Sequence, residues 1–362
     1  MRIAQIAPLY EPVPPPLYGG TERIVSFLTE ELVARGHEVT LFASGESKTT
    51  ACLVAGRGQA LRLDPAPKKS EIAAHLAMLD EVRRRADEFD LLHFHLSHFQ
   101  HFPFFEHIRE RTVTTPHGRL DYVDLPGAYA RWHGFPMISI SDRQRKPLPD
   151  ANWVGTVYHG LPVETLPFRA RRERSGERPY LAFLGRLSRD KRPDRAIEIA
   201  KRAGLQLRIA AKVGVDDRAY FDDNIEQRID GDDVVYLGEV GEAEKADLLT
   251  NAEGLVFPID WPEPFGLVVI ESMAYGTPVI AWREGAMPEI VDQGEAGFVV
   301  DSIEEAVEKV KLLAPLDRHR IRRIFEERFS VRRMVDDYER IYASVVAPSR
   351  SPKLAEVTAG GT

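Results

Sequence analysis

The sequence predicts an α/β protein of two Rossmann-like lobes, each a doubly wound parallel sheet, that face each other across a cleft. The chain has 362 residues, which is too long for one ordinary core and favours two domains. Apolar runs of strand length alternate with amphipathic helical patterns, as in parallel sheets covered by helices. A charged, turn-rich stretch from Phe168 to Pro179 separates two such series and has the composition of a linker.

The first lobe is placed at 1–164, with helices at about Glu22–Arg35 and Ser70–Asp87. The second lobe is placed at 165–328. A final helix at 329–346 could return to the first lobe, and the Pro/Ser/Gly-rich remainder at 347–362 is expected to be disordered. The predicted strands are Arg2–Ala7, Glu38–Ala43, Leu91–Phe94, Thr112–Thr115, Met137–Ser139 and Val154–Tyr158, then Tyr180–Leu184, Leu207–Ala211, Val234–Leu237, Leu255–Phe257, Val279–Ala281 and Gly297–Val300.

Composition excludes several classes of protein. A formal net charge of −8 and a pI near 5.8 argue against a nucleic-acid binder. One cysteine, Cys52, rules out a disulfide framework and fits a reducing compartment, so a cytoplasmic location is expected. The basic clusters Arg83–Arg85 and Arg318–Arg323 lie on helical stretches with interleaved acids. They favour solvated helix faces, with weak peripheral membrane contact as the alternative.

The most informative segment runs from Glu263 to Ala281. Glu263 stands on a Pro/Gly turn after a buried strand, and Glu271 stands in the helix that follows, eight residues later. A glycine turn before a helix start presents free backbone N–H groups and the positive end of the helix dipole, which suits a phosphate or a sugar oxygen. Glu263 can accept hydrogen bonds from sugar hydroxyls, and Glu271 can chelate a ribose diol.

Two further loops at strand ends carry related chemistry. Gly19 and Gly20 precede a helix start and let the backbone approach a ligand, but they do not form the dinucleotide pattern G-x-G-x-x-G. Arg186 and Lys191 lie five residues apart on one loop, so both can reach a diphosphate. Such cations favour a transition state in which a leaving diphosphate gains charge.

Together these motifs resemble the signature of retaining, nucleotide-sugar-dependent glycosyltransferases of family 4, which have the GT-B fold. The resemblance extends from about Arg2 to Val300. It implies a donor site, an acceptor side and a set of catalytic residues. The donor site comprises Gly19, Gly20, Arg186, Lys191, Val240, Glu263, Phe265, Gly266, Leu267 and Glu271. The acceptor-side candidates are Thr21, Glu22 and His95, and the catalytic residues are His117, Glu263, Arg186 and Lys191.

Histidines form the remaining candidates. His117 ends a strand in Thr-Pro-His-Gly, a setting in which the family places a histidine against the donor sugar and the reacting centre. The cluster from His93 to His101 suggests a metal site, but no acidic or cysteine ligand accompanies it, so an acceptor-cleft role for His95 is favoured. His159 departs from the resemblance, because asparagine is the common residue before Gly160.

The resemblance implies transfer of a hexose from a nucleoside-diphosphate sugar, with UDP favoured, to a hydroxyl acceptor by a front-face mechanism. No Asp-x-Asp motif stands in the loops expected to line the cleft, so no metal or other cofactor is expected; Arg186 and Lys191 would stabilise the diphosphate instead. Acceptor, donor sugar and oligomeric state stay open. The alternatives are an inactive nucleotide-sugar-binding homologue, an epimerase of the same fold and a sugar phosphorylase, for which no pyridoxal-phosphate lysine motif is evident.

Overall fold

Two parallel β-sheets, one in each half of the chain, form the framework of the computed structural model, which describes residues 1–17, 19–96, 99–168 and 178–347. Most of the predicted linker and the tail from residue 348 onward lie outside these ranges, as does His98. The first sheet contains β1 (Arg2–Ile6), β2 (Glu38–Ser44), β3 (Cys52–Arg57), β4 (Leu91–Phe94), β5 (Thr112–Thr114), β6 (Met137–Ser139) and β7 (Trp153–Thr156). The second contains β8 (Tyr180–Arg186), β9 (Gln206–Lys212), β10 (Val234–Gly238), β11 (Gly254–Phe257), β12 (Val279–Trp282) and β13 (Gly297–Val300).

Helices connect these strands. Those of the first lobe are α1 (Gly20–Ala34), α2 (Glu71–Arg84), α3 (Phe102–Phe105) and α4 (Leu125–Arg131). Those of the second are α5 (Pro193–Ala203), α6 (Arg218–Asn224), α7 (Glu242–Asn251), α8 (Leu267–Ala274) and α9 (Met287–Ile290), followed by α10 (Ile303–Val310), α11 (Arg318–Phe329) and α12 (Val331–Val346).

The strand order fixes where a ligand can bind. The first sheet runs β3-β2-β1-β4-β5-β6-β7 and the second β10-β9-β8-β11-β12-β13. In each sheet the order reverses beside the first strand, between β1 and β4 and between β8 and β11. Open parallel sheets bind ligands at the carboxyl ends of the strands at this point. Every residue of β4 and β11 is buried, as expected for strands covered on both faces. The predicted fold class, GT-B with two parallel α/β lobes, is confirmed.

Two features differ from the prediction. Strand β3 was not predicted; it is a partly exposed edge strand with a glycine, Gly56, in its interior. Arg322 does not lie on a solvated face: it is 7% exposed, and its guanidinium donates to the carbonyls of Leu166 and Ala274.

Helix α12 lies against the first lobe, although it follows the second lobe in sequence. Tyr338 and Tyr342 are fully buried on it. On its outer side Arg35 of the first lobe bonds to Asp336 and Glu339, each at 2.6 Å. Hydrogen bonds between Leu161 and residues 329 and 331 join the strand-end loop of the first lobe to the start of this helix. The last helix therefore completes the core of the first lobe.

Candidate active site

A cleft of about 660 Å³ lies between the lobes at the carboxyl ends of both sheets. Its walls bring together nearly the whole predicted set of site residues, which come from the loops after β1, β5, β8, β10 and β11. The predicted residues that line the cleft are Gly19, Gly20, Thr21, Glu22, His117, Arg186, Lys191, Val240, Glu263, Phe265, Gly266, Leu267 and Glu271.

The loop between β11 and α8 has the shape that its glycine predicts. Gly266 has φ of 91°, and a Cβ there would lie 2.7 Å from Met287 Cε, so a side chain would be both strained and crowded. Helix α8 begins at the next residue, and its first residues, Leu267 and Val268, line the cleft. The backbone at Glu263 is held from behind, because Ala286 N donates to its carbonyl at 2.9 Å.

Glu263 forms an ion pair with Lys191 at the centre of the cleft. The Lys191 ammonium also lies 4.9 Å from the ring centre of Trp261 and 5.2 Å from that of Phe257. Both partners are mostly shielded from solvent, whereas the side chain of Arg186 is 41% exposed. The predicted cation Lys191 and the predicted sugar-binding carboxylate Glu263 are therefore in direct contact. Arg186 lines the same cleft, with its Nε 3.8 Å from Oδ2 of Asp217.

Glu271 is paired with a lysine that sequence reasoning missed. Lys245, on α7, lies 2.6 Å from Glu271 and 2.9 Å from Glu242. Burial lowers the pKa of Lys245, but the two carboxylates outweigh this and the pKa is raised. Glu242 also pairs with Arg23 of the first lobe at 3.1 Å. A chain of alternating charges therefore crosses the cleft to Glu271.

His117 is partly buried at the cleft wall. Its Nε2 lies 2.9 Å from Nδ1 of His95, and its ring stacks on that of His159 with centroids 5.1 Å apart and planes 14° apart. Burial lowers the pKa of His117 to about 3, so the ring is neutral at physiological pH.

His95 does not line the cleft. It is 1% exposed and lies behind His117, because the alternation of side chains along β4 and the loop after it points His95 into the lobe. The acceptor-side prediction for His95 is corrected accordingly. Its hydrogen bond to the cleft lining is the one to His117.

Glu22 lies at the start of α1 on the first-lobe wall. It is 4% exposed, and burial raises the pKa of its carboxyl to about 7, with Glu11 raising it further and Arg62 opposing. The side chains of Tyr10 and Arg62 line the cleft beside it. The first-lobe wall of the cleft therefore carries a carboxyl whose pKa lies near neutral pH.

Arg119 is a second residue that sequence reasoning missed. Its guanidinium lies 5.6 Å from the ring centre of Trp261 across the cleft and is fixed by Asp121 at 2.6 Å. The sequence feature that could have identified Arg119 is its position two residues after His117, on the same strand-end loop.

The described residues contain no group of three or more histidine, cysteine or acidic side chains arranged to hold a metal ion. In that same part of the chain, helices with the length and apolarity needed to span a bilayer are absent.

Two family models match the chain, one on each lobe. The model described as Glycosyl transferases group 1 matches residues 166–326, and that described as Glycosyltransferase Family 4 matches residues 18–154. Two parallel-sheet lobes around a shared cleft define the GT-B class. Each lobe of the chain thus matches a glycosyltransferase family model, in agreement with the resemblance of its motifs.

Curated relatives match the chain over stretches of different length. N-acetyl-alpha-D-glucosaminyl L-malate synthase of Bacillus anthracis is 32% identical over 131 residues, which are 34% of each chain. Phosphatidyl-myo-inositol mannosyltransferase of Mycobacterium leprae is 26% identical over 346 residues, 87% of each. For some relatives the match spans half of their length or less. Among solved structures, Anabaena HepE in complex with UDP and glucose has a TM-score of 0.72 at 17% identity, covering 95% of this chain and 100% of that one.

Proposed function

We propose that the protein is a retaining glycosyltransferase that moves a hexose from a nucleoside-diphosphate sugar to a hydroxyl acceptor without a metal ion. The observation that carries the proposal is the convergence of Lys191, Arg186, Glu263 and Glu271 on one cleft, beside the first turn of α8. Two cations, a helix start and two carboxylates match the charges of a diphosphate, a sugar and a ribose. HepE, which has the same fold, is described with UDP and glucose, and this favours a uridine donor.

The proposed reaction exchanges one C–O bond for another on the same face of the sugar. The bond from the anomeric carbon to the β-phosphate oxygen breaks, and its electron pair stays on the diphosphate. Arg186 and Lys191 stabilise the charge that develops there. The acceptor hydroxyl oxygen bonds to the anomeric carbon, and its proton passes to the departing phosphate oxygen. Glu263 binds sugar hydroxyls and stabilises positive charge on the ring.

In this mechanism, donor binding separates the Lys191–Glu263 ion pair. Donor binding would place phosphate oxygens beside the Lys191 ammonium and sugar hydroxyls beside the Glu263 carboxylate. Each side chain would then replace its contact with the other by a contact with the donor. Neither charge is then left unpaired in a shielded place, which would be costly. Neutral His117 contributes position and polarity rather than a proton.

A melting experiment in EDTA tests the donor site. We expect UDP at millimolar concentration to raise the melting temperature without added metal, because a ligand of the native state stabilises it by mass action. Lys191→Ala and Arg186→Ala should lose most of the shift. Arg189→Ala is the matched control, since Arg189 lies on the same loop but over the Tyr220 ring, outside the cleft lining.

If no nucleoside diphosphate shifts the melting temperature, the proposal fails. A shift without sugar transfer from any donor in a nucleotide-sugar panel would instead favour the inactive nucleotide-sugar-binding homologue.

A further inference from the structure

A buried row of polar side chains lies directly behind His117. His95 Nε2 lies 2.6 Å from Oε1 of Gln5, and Gln5 Nε2 lies 3.3 Å from the hydroxyl of Tyr342. That hydroxyl lies 2.6 Å from His93 Nδ1. With the 2.9 Å contact between His95 and His117, the five side chains form one connected path, here named the His117 relay.

Each hydrogen bond of the relay has a defined donor. The Gln5 carbonyl oxygen can only accept, so His95 must donate from Nε2. Burial lowers the pKa of His95 well below its usual value, and the neutral ring then has a bare Nδ1. The bond between His95 and His117 therefore has its proton on Nε2 of His117.

The other branch of the relay agrees with this direction. The Gln5 amide donates to the Tyr342 oxygen, which frees the Tyr342 proton for Nδ1 of His93. His93 then donates from Nε2 to Thr115 Oγ1 at 2.8 Å. In both branches each hydrogen bond has one donor and one acceptor, and all the histidine rings are neutral.

We propose that Gln5, His95 and Tyr342 are positioning residues that hold His117 in the tautomer protonated on Nε2, with its ring fixed at the cleft wall. His117 Nδ1 has no hydrogen-bond partner among the described residues, so it is the nitrogen left to accept a hydrogen bond. His159 stacks on the ring and fixes its plane. This assigns a role to His159, which departs from the family pattern, and to His93 and His95.

The His117 relay includes Tyr342 of α12, so this helix contributes to the candidate active site. Tyr342 is fully buried on α12, and this helix packs against the first lobe. The catalytic part of the inference rests on the proposed function, whereas the tautomer of His117 does not. The two can therefore fail separately.

The primary experiment is nitrogen-15 NMR of protein labelled at histidine, with His117→Ala used to assign the signals. We expect a pyrrole-like Nε2 and a pyridine-like Nδ1 for His117. Tyr342→Phe and Gln5→Leu should mix the two tautomers and lower kcat at least roughly tenfold while leaving donor affinity unchanged, because misplacement of a catalytic group affects the rate more than binding.

Tyr129→Phe is the matched control. The Tyr129 hydroxyl is also buried, in the same lobe, but has no hydrogen-bond partner among the described residues, so its loss should leave tautomer and kcat unchanged. A proton on Nδ1 of wild-type His117 would overturn the relay, even if the variants do not fold. Altered tautomers with normal kcat would overturn the positioning role. The expected tautomer in a protein that transfers no sugar would uphold the relay and reject the proposed function.

Discussion

Burial of a single carboxyl, that of Glu22, makes the stability of the protein depend on pH. Its pKa is raised to about 7, above the unfolded value of 4.5. The folded state therefore binds a proton more tightly than the unfolded state, and stability is lost as pH rises from the unfolded pKa through the folded one. Above this window the ionised carboxylate destabilises the native state by at most about 3 kcal/mol.

Glu22→Gln removes this ionisation. We expect the variant to gain stability relative to the wild type at about pH 8, and little or none at about pH 5, where the Glu22 carboxyl of the native protein is already protonated. Urea unfolding at both pH values measures the difference. A gain that does not vary with pH would contradict the raised pKa.

Glu271 and Glu263 should differ in what their loss does. Glu271→Ala is expected to weaken binding of UDP by roughly 1–3 kcal/mol, because the ribose diol loses a charged hydrogen-bond acceptor. Lys245 stays paired with Glu242, so the variant should fold. Glu263→Ala is expected to spare UDP affinity and lower turnover of the sugar donor. Calorimetric titration measures both affinities, and equal losses would refute the division of roles.

At the scale of elements, the start of α12 depends on a glycine in the first lobe. A Cβ at Gly160 would overlap the backbone carbonyl of Ser330, where the chain crosses from α11 to α12. Because backbone on both sides is held by the hydrogen bonds of Leu161, neither segment can move aside cheaply. We expect Gly160→Ala to destabilise the protein by about 1–3 kcal/mol, as for overpacking in a filled core.

Gly127→Ala provides the matched control for this prediction. A Cβ at Gly127 would meet nothing within 4 Å, and the residue lies inside α4, where alanine is the better helix former. It should be neutral or slightly stabilising in the same denaturant titration. Similar losses in both variants would show that the crossing is not tightly packed.

At the scale of the whole molecule, one apolar cluster extends through both lobes, while first-lobe residues also form two smaller, separate clusters. The largest cluster joins Ile3 and Leu28 of the first lobe to Leu181 of the second and to Tyr338 of α12. We therefore expect one cooperative calorimetric transition, in which the van't Hoff and calorimetric enthalpies agree. Tyr338→Ala should uncouple the lobes and broaden or split the transition. Two resolved transitions in the wild type would contradict a shared core.

The sequence predicts much of the architecture because the signals are local. The strands Leu91–Phe94, Met137–Ser139 and Gly297–Val300 are apolar runs bounded by turn residues, and their predicted limits match the structure. Strand β3 escaped detection because an edge strand is partly exposed and lacks such a run; Gly56 in its interior weakens the pattern further.

The site was predictable to the extent that each motif sits on its own strand–turn–helix unit. Glu263, Gly266 and Glu271 belong to one such unit, so their spacing alone places them together. Lys245 and the burial of His95 depend on which elements pack side by side, and local patterns do not contain that information. The direction of the hydrogen bonds around His95 likewise needs Tyr342, which is far away in sequence.

Because α12 packs against the first lobe but follows the second lobe in sequence, the first lobe can complete its folding only after α12 has been synthesised. The ribosome makes the first lobe first, yet Tyr338 and Tyr342 are synthesised only after the whole second lobe. Until then, His93, Thr115 and Gln5 lack hydrogen-bond partners that they have in the native state. A nascent first lobe therefore exposes an unfinished apolar and polar surface throughout synthesis of the second. Such a chain should engage chaperones until its final helix emerges.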